Sequence, residues 1–599
     1  MVLVRPSDYF YAYDAIRQES FQGQSVLVFA SVADVDAVCA YKVLSGVFKS
    51  DSVCYSVFPV SGYDDLQDHA EKLLQNKDEE RTVVLINCGG TEDVIDLLGL
   101  NELPGTRVLV VDSRRPLHHR NAAEENKQVL VLYDDTSEMA EDFPELSESS
   151  SDEESDDEDG DEEERPTSRR RTSENYTSGM SRYRQRQQAK RERLLQRAEY
   201  YGRGSFYGKS AGHMIYDIAH MLNKETNEYL WLAIVGLTDQ YIHQRISQER
   251  YKSNVQRFNE LVLNSGGLDM PTVAMLEDGT EIRIPDQERI KQDQDYRFML
   301  LNHWSLYEAM VHSTYVATRL RTWKESGQQK LQLLLAKMGL PLIECQQSFS
   351  HMKPELKRVL SEKLNEYAPQ FGLNDVRYSS FQMQNGYKYR LSASDVVYSI
   401  AAILEMKSPD AKELDLNPIA AHRESMRSNF LTAFRALSSS SSAWQELNNG
   451  LQLSMSLQQA IIRQGGLAIA KRSVFSLSKF RCLNMSIGKV VDAEILSQPL
   501  ALTKLAYFIQ DAMGSMGRSY KPVVVAGPEW QGQVLLVGVR GQPRPGDTQG
   551  NKFGISFRRA AERISARFAH DSFDSSVIQI TKRDVQRFLG ALQNDMDDL

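Results

Sequence analysis

Four short apolar runs, rich in β-branched residues and each ending abruptly in polar ones, constrain this chain more than any other feature. Val26-Leu27-Val28-Phe29-Ala30 leads to Asp34 and Asp36, and Thr82-Val83-Val84-Leu85-Ile86 runs into Asn87-Cys88-Gly89-Gly90. Val108-Leu109-Val110-Val111 runs into Asp112-Ser113-Arg114-Arg115-Pro116, and Val129-Leu130-Val131-Leu132-Tyr133 into Asp134-Asp135. Runs without polar alternation are the pattern of strands buried on both faces, as in a parallel sheet. Helical patterns at Tyr9 to Glu19, Asp34 to Phe48 and Asp64 to Leu74 separate them, so residues 1–137 are expected to form the first part of an α/β domain. In an open α/β sheet ligands bind in the crevice outside the strand C-termini, which makes the polar residues there the candidate site.

Asp34 and Asp36 stand where a metal-dependent phosphoesterase holds its first metal. Through these strand ends the chain resembles the DHH phosphoesterase superfamily, in its RecJ-like branch, whose Asp and His residues bind two catalytic divalent cations. On that resemblance Asp34 and Asp36 match the first two aspartates of an Asp-x-Asp-x-Asp-Gly signature, while Val38 stands at the third and Cys39 at the glycine. Asn87 replaces an aspartate. Asp112 is kept from the name-giving Asp-His-His motif, and Ser113 and Arg114 replace both histidines. Asp239, in Ala233-Ile234-Val235-Gly236-Leu237-Thr238-Asp239, matches a late aspartate ligand, and Gly208-Lys209-Ser210-Ala211-Gly212 resembles the glycine-bearing segment before it.

A two-metal hydrolase needs its cations ~3.5–4 Å apart and enough anionic or imidazole ligands to hold both. The remnant ligand positions Asp34, Asp36, Asn87, Asp112 and Asp239 fall short of that set, so no catalytic residue, metal or other cofactor is expected. The aspartates read as fold remnants that cap strand ends and bond to neighbouring turns. The alternative is a single cation held weakly through oxygens, or a nucleotide contact.

An Asp-Val-Asp first motif, an Asp-Ser-x-Arg-Pro third motif and a long acidic insertion are similar to one degenerate branch, a eukaryotic replication-factor family. Tyr296 to Met310, Leu335 to Leu342 and Phe568 to Val577 are similar to stretches of the same branch, and the resemblance covers nearly the whole chain. It implies a RecJ-like parallel sheet domain, a mainly helical middle region and a C-terminal α/β, DHHA1-like domain. It also implies a nuclear, non-catalytic factor for replication initiation and elongation. Such a scaffold binds the ring-shaped MCM motor, the GINS tetramer and other origin-firing and replisome proteins on chromatin. The alternative function is a divalent-metal-dependent nuclease or phosphodiesterase acting on single-stranded DNA.

At 599 residues the chain exceeds what one core organises. The divisions expected are 1–137 for the first part of the sheet domain, 138–180 for an insertion, 181–244 for a basic helix and completion of that domain, 245–483 for the helical middle and 484–599 for the C-terminal domain. No apolar stretch approaches the ~18–20 residues of a membrane span, and the N-terminus does not read as a signal peptide. The five cysteines are scattered with no Cys-x-x-Cys pair, which suits free thiols in a reducing compartment and excludes a zinc finger.

The net charge of −11 is spread unevenly. Glu138 to Glu164 carries 16 acidic residues and no Lys or Arg, whereas Arg165 to Arg197 carries 11 basic and 2 acidic ones. The acidic stretch has almost nothing to bury and is expected to be disordered, with Ser149, Ser151 and Ser155 suited to an acid-directed kinase. The basic stretch reads as a helical arm, an import signal or a solvated face. Outside both, the chain is close to neutral, so a DNA-binding surface must come from local clustering. Arg540, Arg544, Lys552, Arg558 and Arg559 beside Phe553 and Phe557 form the best such cluster for single-stranded DNA, with a solvated basic face as the competing reading.

Gly208-Lys209-Ser210 is not a phosphate-binding loop, because Arg203 stands where that motif needs its first glycine. No helicase motor is visible. Further along, Leu300, Trp304, Tyr307, Val311 and Thr314 recur at helical spacing, as do Leu331, Leu334, Leu335 and Met338 before Gly339, and both stripes read as core. Asp278-Gly279 marks a hairpin turn within Val273 to Pro285. Serines 438–442 mark a break before a helix from Trp444 to Arg463. Strands are expected at Lys521 to Gly527 and Gly532 to Val539, followed by a helix from Ile555 to Phe568.

Overall fold

The computed structural model describes residues 2–73, 81–123, 126–134, 188, 191–265, 273–275, 281–283, 289–385, 389–406, 418–438, 441–487, 490–530, 532–543, 549–569 and 573–598. The acidic insertion, most of the basic stretch up to residue 190, and Arg544 lie outside these residues.

The first sheet contains β1 (Leu3–Val4), β2 (Val26–Ser31), β3 (Tyr55–Val60), β4 (Arg81–Ile86), β5 (Thr106–Val111) and β7 (Val129–Leu132). Its order is β1-β7-β5-β4-β2-β3, and every pair is parallel. The four strands expected from apolar runs are all present. The two additional ones are edge strands: β1 has two residues, and β3 carries Pro59, which has no N–H to donate and is tolerated at an edge. A two-residue strand, β6 (Arg114–Arg115), leaves the end of β5 and pairs with β8 (Phe206–Tyr207), so the chain returning from the insertion is fastened to the sheet's C-terminal edge. Helices Ala211–Met221 and Asn227–Ile242 then pack on helix Val35–Ser50 in one apolar core with β2 and β4.

The middle region is less uniformly helical than its sequence suggests. Strands β9 (Val273–Met275) and β10 (Glu281–Arg283) pair antiparallel, while the Asp278-Gly279 turn signal between them lies outside the described residues. Beyond it, β11 (Arg289–Tyr296), β12 (Arg377–Asn385) and β13 (Tyr389–Ser392) make a three-stranded antiparallel sheet. Strand β11 escapes sequence reading because Arg-Ile-Lys-Gln-Asp-Gln-Asp-Tyr buries only Ile290. The single helix expected through Leu300 to Thr314 is instead two, Leu306–Val311 and Thr314–Leu320. Leu300 has φ +54°, and Ser305 caps the first helix by accepting from Glu308 N at 3.0 Å, so the stripe's first two members precede the helix. Helix Glu325–Lys337 ends as expected before Gly339, whose φ of +72° favours glycine.

The C-terminal sheet contains β14 (Val474–Ser476), β15 (Arg481–Asn484), β16 (Val523–Ala526), β17 (Gln533–Val539), β18 (Phe568–Ala569) and β19 (Val577–Thr581), in the order β14-β15-β16-β17-β19-β18. Helix Phe553–Arg563 stops five residues short of Phe568, because Ser565 turns to φ +51° and Phe568 enters β18. Phe573 leaves this unit to join the core beneath the first sheet, edge-on to Tyr63 at 4.9 Å. Ser205 and Asn551 exchange backbone hydrogen bonds of 2.9 and 2.7 Å, a second tie between the two sheets. No helix among the described residues is long and apolar enough to cross a membrane.

One partly buried carboxyl couples the middle sheet to helix Ala393–Leu404. Asp295 accepts from Ser394 Oγ at 2.5 Å and from Tyr296 N at 2.9 Å, and burial, with Asp395 adding to it, pushes its pKa up to about 7. Because the folded value lies above the unfolded 3.8, the associated stability is full below about pH 4 and is lost as pH rises through about 7. Asp295→Asn, which cannot ionise, should therefore have a flatter profile than the native chain, checked by urea unfolding midpoints at pH 5.5 and 8.

Candidate functional site

The strand ends of the first sheet and the C-terminal turn of helix Asn227–Ile242 bring Asp34, Asp36, Asn87, Asp112 and Asp239 together, each at most 1% exposed. Asp34 caps helix Val35–Ser50, accepting from Asp36 N at 3.3 Å. Asp36 turns inward from the first turn of that helix and accepts Ala211 N at 2.7 Å and Gly212 N at 2.9 Å. These two amides lie at the N-terminus of helix Ala211–Met221, where unpaired N–H groups and the helix dipole favour a carboxylate. The glycines are there for space. A Cβ on Gly236 would lie 2.4 Å from Asp36 Oδ1, and one on Gly212 3.2 Å from it.

Asn87, at φ +49°, joins the two motifs that flank it. Its Nδ2 donates to Asp34 at 3.0 Å and Asp36 at 3.1 Å, and its Oδ1 accepts Ser113 N at 2.9 Å. An aspartate in its place would put a third negative charge against the first two. Asp112 accepts Gly90 N at 2.9 Å and Arg114 N at 2.8 Å. Asp239 accepts from His243 Nδ1 at 2.8 Å. Val38 and Cys39, at the positions of the third aspartate and the glycine, are wholly buried.

Two guanidinium groups provide the positive charge. Arg114, standing at a histidine position, lies 3.4 Å from Asp34 and 3.9 Å from Asp112, donates to the Asn87 carbonyl, and is covered by the Phe573 ring at 5.9 Å. Arg245 bonds Asp239 at 2.7 Å and Asp34 at 3.3 Å beneath the Tyr207 ring at 5.1 Å. Burial opposes the Arg114 cation, but Asp34 and Asp112 outweigh it and its pKa is raised. Burial likewise opposes ionised Asp239, yet Arg245 and His243 hold its pKa below the ordinary value. Asp36 has no guanidinium of its own, and burial followed by the charge on Asp34 pushes it up to about 7.

The donor set does not fit a pair of divalent cations. Both oxygens of each of the four carboxylates already accept from an amide, imidazole, carboxamide or guanidinium N–H. Among the described residues no group of three or more His, Cys, Asp or Glu is arranged to hold a metal ion. Cys39 and Cys88 are buried, and burial raises both thiol pKa values, so neither provides a ready thiolate. Sequence reasoning missed Arg245, Tyr207 and the covering role of Phe573. Arg245 belongs to no motif, and only its place six residues after Asp239 connects it with the site.

Two arginines of the expected DNA-binding cluster are engaged within the fold. Arg540 donates to the Gln549 and Gly550 carbonyls, and Arg558 pairs with Glu92 at 3.3 Å. Arg559 is exposed and Lys552 half-buried at the start of helix Phe553–Arg563, while Arg544 lies outside the described residues. Phe553 and Phe557, the rings meant to stack bases, are 2% and 0% exposed and belong to the core.

A family model described as CDC45 matches residues 26–595. The chain is 34% identical to the cell division control protein 45 homolog of Schizosaccharomyces pombe, covering 99% of both. It is 32% identical to the Homo sapiens homolog, covering 96% of this chain and 97% of that one. Its fold is similar to the crystal structure of CDC45 from Entamoeba histolytica, with a TM-score of 0.69 at 22% identity over 99% of each chain.

Removing either guanidinium leaves buried carboxylates uncompensated, which costs about 3–5 kcal/mol. Arg114→Met and Arg245→Met should each destabilise the chain by roughly that amount, measured by urea unfolding at pH 7.5.

Proposed function

The chain belongs to the CDC45 family of DNA replication factors, and from that premise we propose that it works without catalysis, as a scaffold subunit of a replicative helicase. The observation that supports this reading is the engagement of every carboxylate oxygen in the cluster by an N–H donor, with Arg114 and Arg245 offsetting part of its negative charge. No carboxylate oxygen there lacks an N–H donor, and the sheet around the cluster is intact. In this reading the outer faces bind the MCM ring and the GINS tetramer in the nucleus, and other origin-firing and replisome proteins join the same assembly. Contact with single-stranded DNA is a secondary property of the scaffold.

The test has two arms. Titrating the purified chain with Mg²⁺ and Mn²⁺ should leave its melting temperature unchanged and a labelled single strand uncut. Metal-dependent cleavage abolished by Asp34→Ala would make the chain a nuclease instead. Mixed with an MCM ring and a GINS tetramer, the chain should co-elute with both in size-exclusion chromatography, and elution apart from both would remove the scaffold role.

A further inference from the structure

Strand β14 (Val474–Ser476) closes one side of the C-terminal sheet and pairs with β15 alone among the described residues. Bonded and non-bonded residue pairs alternate along an antiparallel ladder. Leu477 N donates to the Phe480 carbonyl at 2.9 Å, and Arg481 N, opposite Ser476, turns away to the Pro522 carbonyl at 2.8 Å. The bonds to β15 therefore fall at Leu477 and Phe475, which leaves the N–H and C=O groups of Val474 and Ser476 directed at the open side. Among the described residues nothing bonds to these four groups. Phe475, between them, is 62% exposed.

Three cations flank this edge. Lys471 and Arg472 precede the strand and Lys479 lies in the turn after it; all three are exposed, and among the described residues none forms an ion pair. No Asp or Glu occurs from Gly465 to Val491, so the segment supplies no counter-charge of its own. An open edge with an exposed ring invites pairing with another chain, and charged side chains beside it are a common guard against that. The guard is selective. It repels a second copy of this chain, whose edge bears the same charge, and attracts a strand that bears acids. A nucleic acid would meet the cations, but it has no peptide ladder to complete the outward groups of Val474 and Ser476.

We propose that β14 is a docking edge for an extended acidic segment of a partner protein, which joins the sheet as a further antiparallel or parallel strand. Its backbone pairs with Val474 and Ser476, one of its apolar side chains covers Phe475, and its carboxylates meet Lys471, Arg472 and Lys479. Side chains alternate along a strand, so the segment that fits carries acids interspersed with apolar residues. The assignment does not rest on the scaffold reading, since its test needs neither the MCM ring nor the GINS tetramer.

The experiment is fluorescence anisotropy of the full chain with three short labelled peptides: alternating Glu-Val, alternating Lys-Val, and alternating Glu-Pro, which keeps the charge but cannot donate ladder bonds. The wild type should bind Glu-Val, bind Glu-Pro about five-fold more weakly or worse, and leave Lys-Val free. Ser476→Pro, which removes an N–H that the fold itself does not use, should weaken Glu-Val binding by about five-fold. Arg472→Glu/Lys479→Glu should weaken it about ten-fold and gain affinity for Lys-Val, an exchange that general damage to the fold would not produce. Both sites are exposed, and unchanged thermal melts will show that the variants fold. Glu-Val and Glu-Pro binding alike, or Glu-Val binding that both variants keep, would overturn the assignment. Glu-Val binding that appears only after deletion of residues 138–164 would give the edge to the chain's own acidic stretch. Dimerisation lost in Ser476→Pro would give it to a second copy, and displacement of Glu-Val by an oligonucleotide that Ser476→Pro still binds would give it to nucleic acid. Each of these three results, like an absence of Glu-Val binding with or without the deletion at about 50 mM salt, overturns the assignment to a partner strand.

Discussion

Two guanidinium groups buried among four carboxylates hold the C-terminal edge of the first sheet together, and much of the molecule is arranged around them. Like charges ~4 Å apart repel by about 4 kcal/mol at an effective dielectric near 20, so aspartates gathered on neighbouring strand ends would splay the edge unless compensated. Arg114 and Arg245 supply that compensation, and helix amides at Ala211 and Gly212 supply the rest. Burying a guanidinium is itself costly and succeeds only where geometry and hydrogen bonds are good. That requirement explains the surrounding structure. Strand β8 pairs with β6 and brings Tyr207 over Arg245, and the C-terminal segment brings Phe573 over Arg114. Seating Arg114 thus requires a residue more than four hundred positions away.

Legibility from sequence followed the range of the forces involved. Strands β2, β4, β5 and β7 show as apolar runs because they are buried on both faces, which forces their composition. Asp34, Asp36, Asn87 and Asp112 could be placed together because parallel strands end at one edge, Asp239 only through the family resemblance, and the fold does gather all five. What could not be read was whatever depends on contacts distant in sequence. Arg245 is one arginine among many until the fold sets it 3.3 Å from Asp34. Strand β11 looks like a polar linker because one residue in eight faces the core, and the stripe from Leu300 to Thr314 has helical spacing although Leu300 lies in the left-handed region. The rings of Phe553 and Phe557 misled for a related reason. Proximity in sequence suggests a mixed aromatic and cationic surface, but an amphipathic helix turns its rings to the core and its arginines to solvent.

The same distinction separates the two kinds of cation in this chain. Arg114 and Arg245 are paired with carboxylates and covered by rings, so their charge is largely countered inside the fold. The cations of the β14–β15 hairpin lie in a segment from which acids are absent, and they face solvent. A chain whose net charge is −11 can therefore still present a local positive surface, because most of the excess acid is concentrated in Glu138 to Glu164.

A site filled by side chains behaves differently from one filled by ions. A metal that binds only the folded state adds stability that grows with the logarithm of its free concentration, so a sheet edge held by Mg²⁺ or Mn²⁺ weakens when the metal is scarce. Guanidinium groups attached to the chain are present at a fixed effective concentration, and their charge does not titrate near neutral pH. Filling the edge with Arg114 and Arg245 therefore detaches the rigidity of the sheet from metal supply. It also removes the open coordination positions through which a metal would activate water. In the scaffold reading proposed above, absence of hydrolysis and a metal-independent platform are, at this edge, two results of the same pair of side chains.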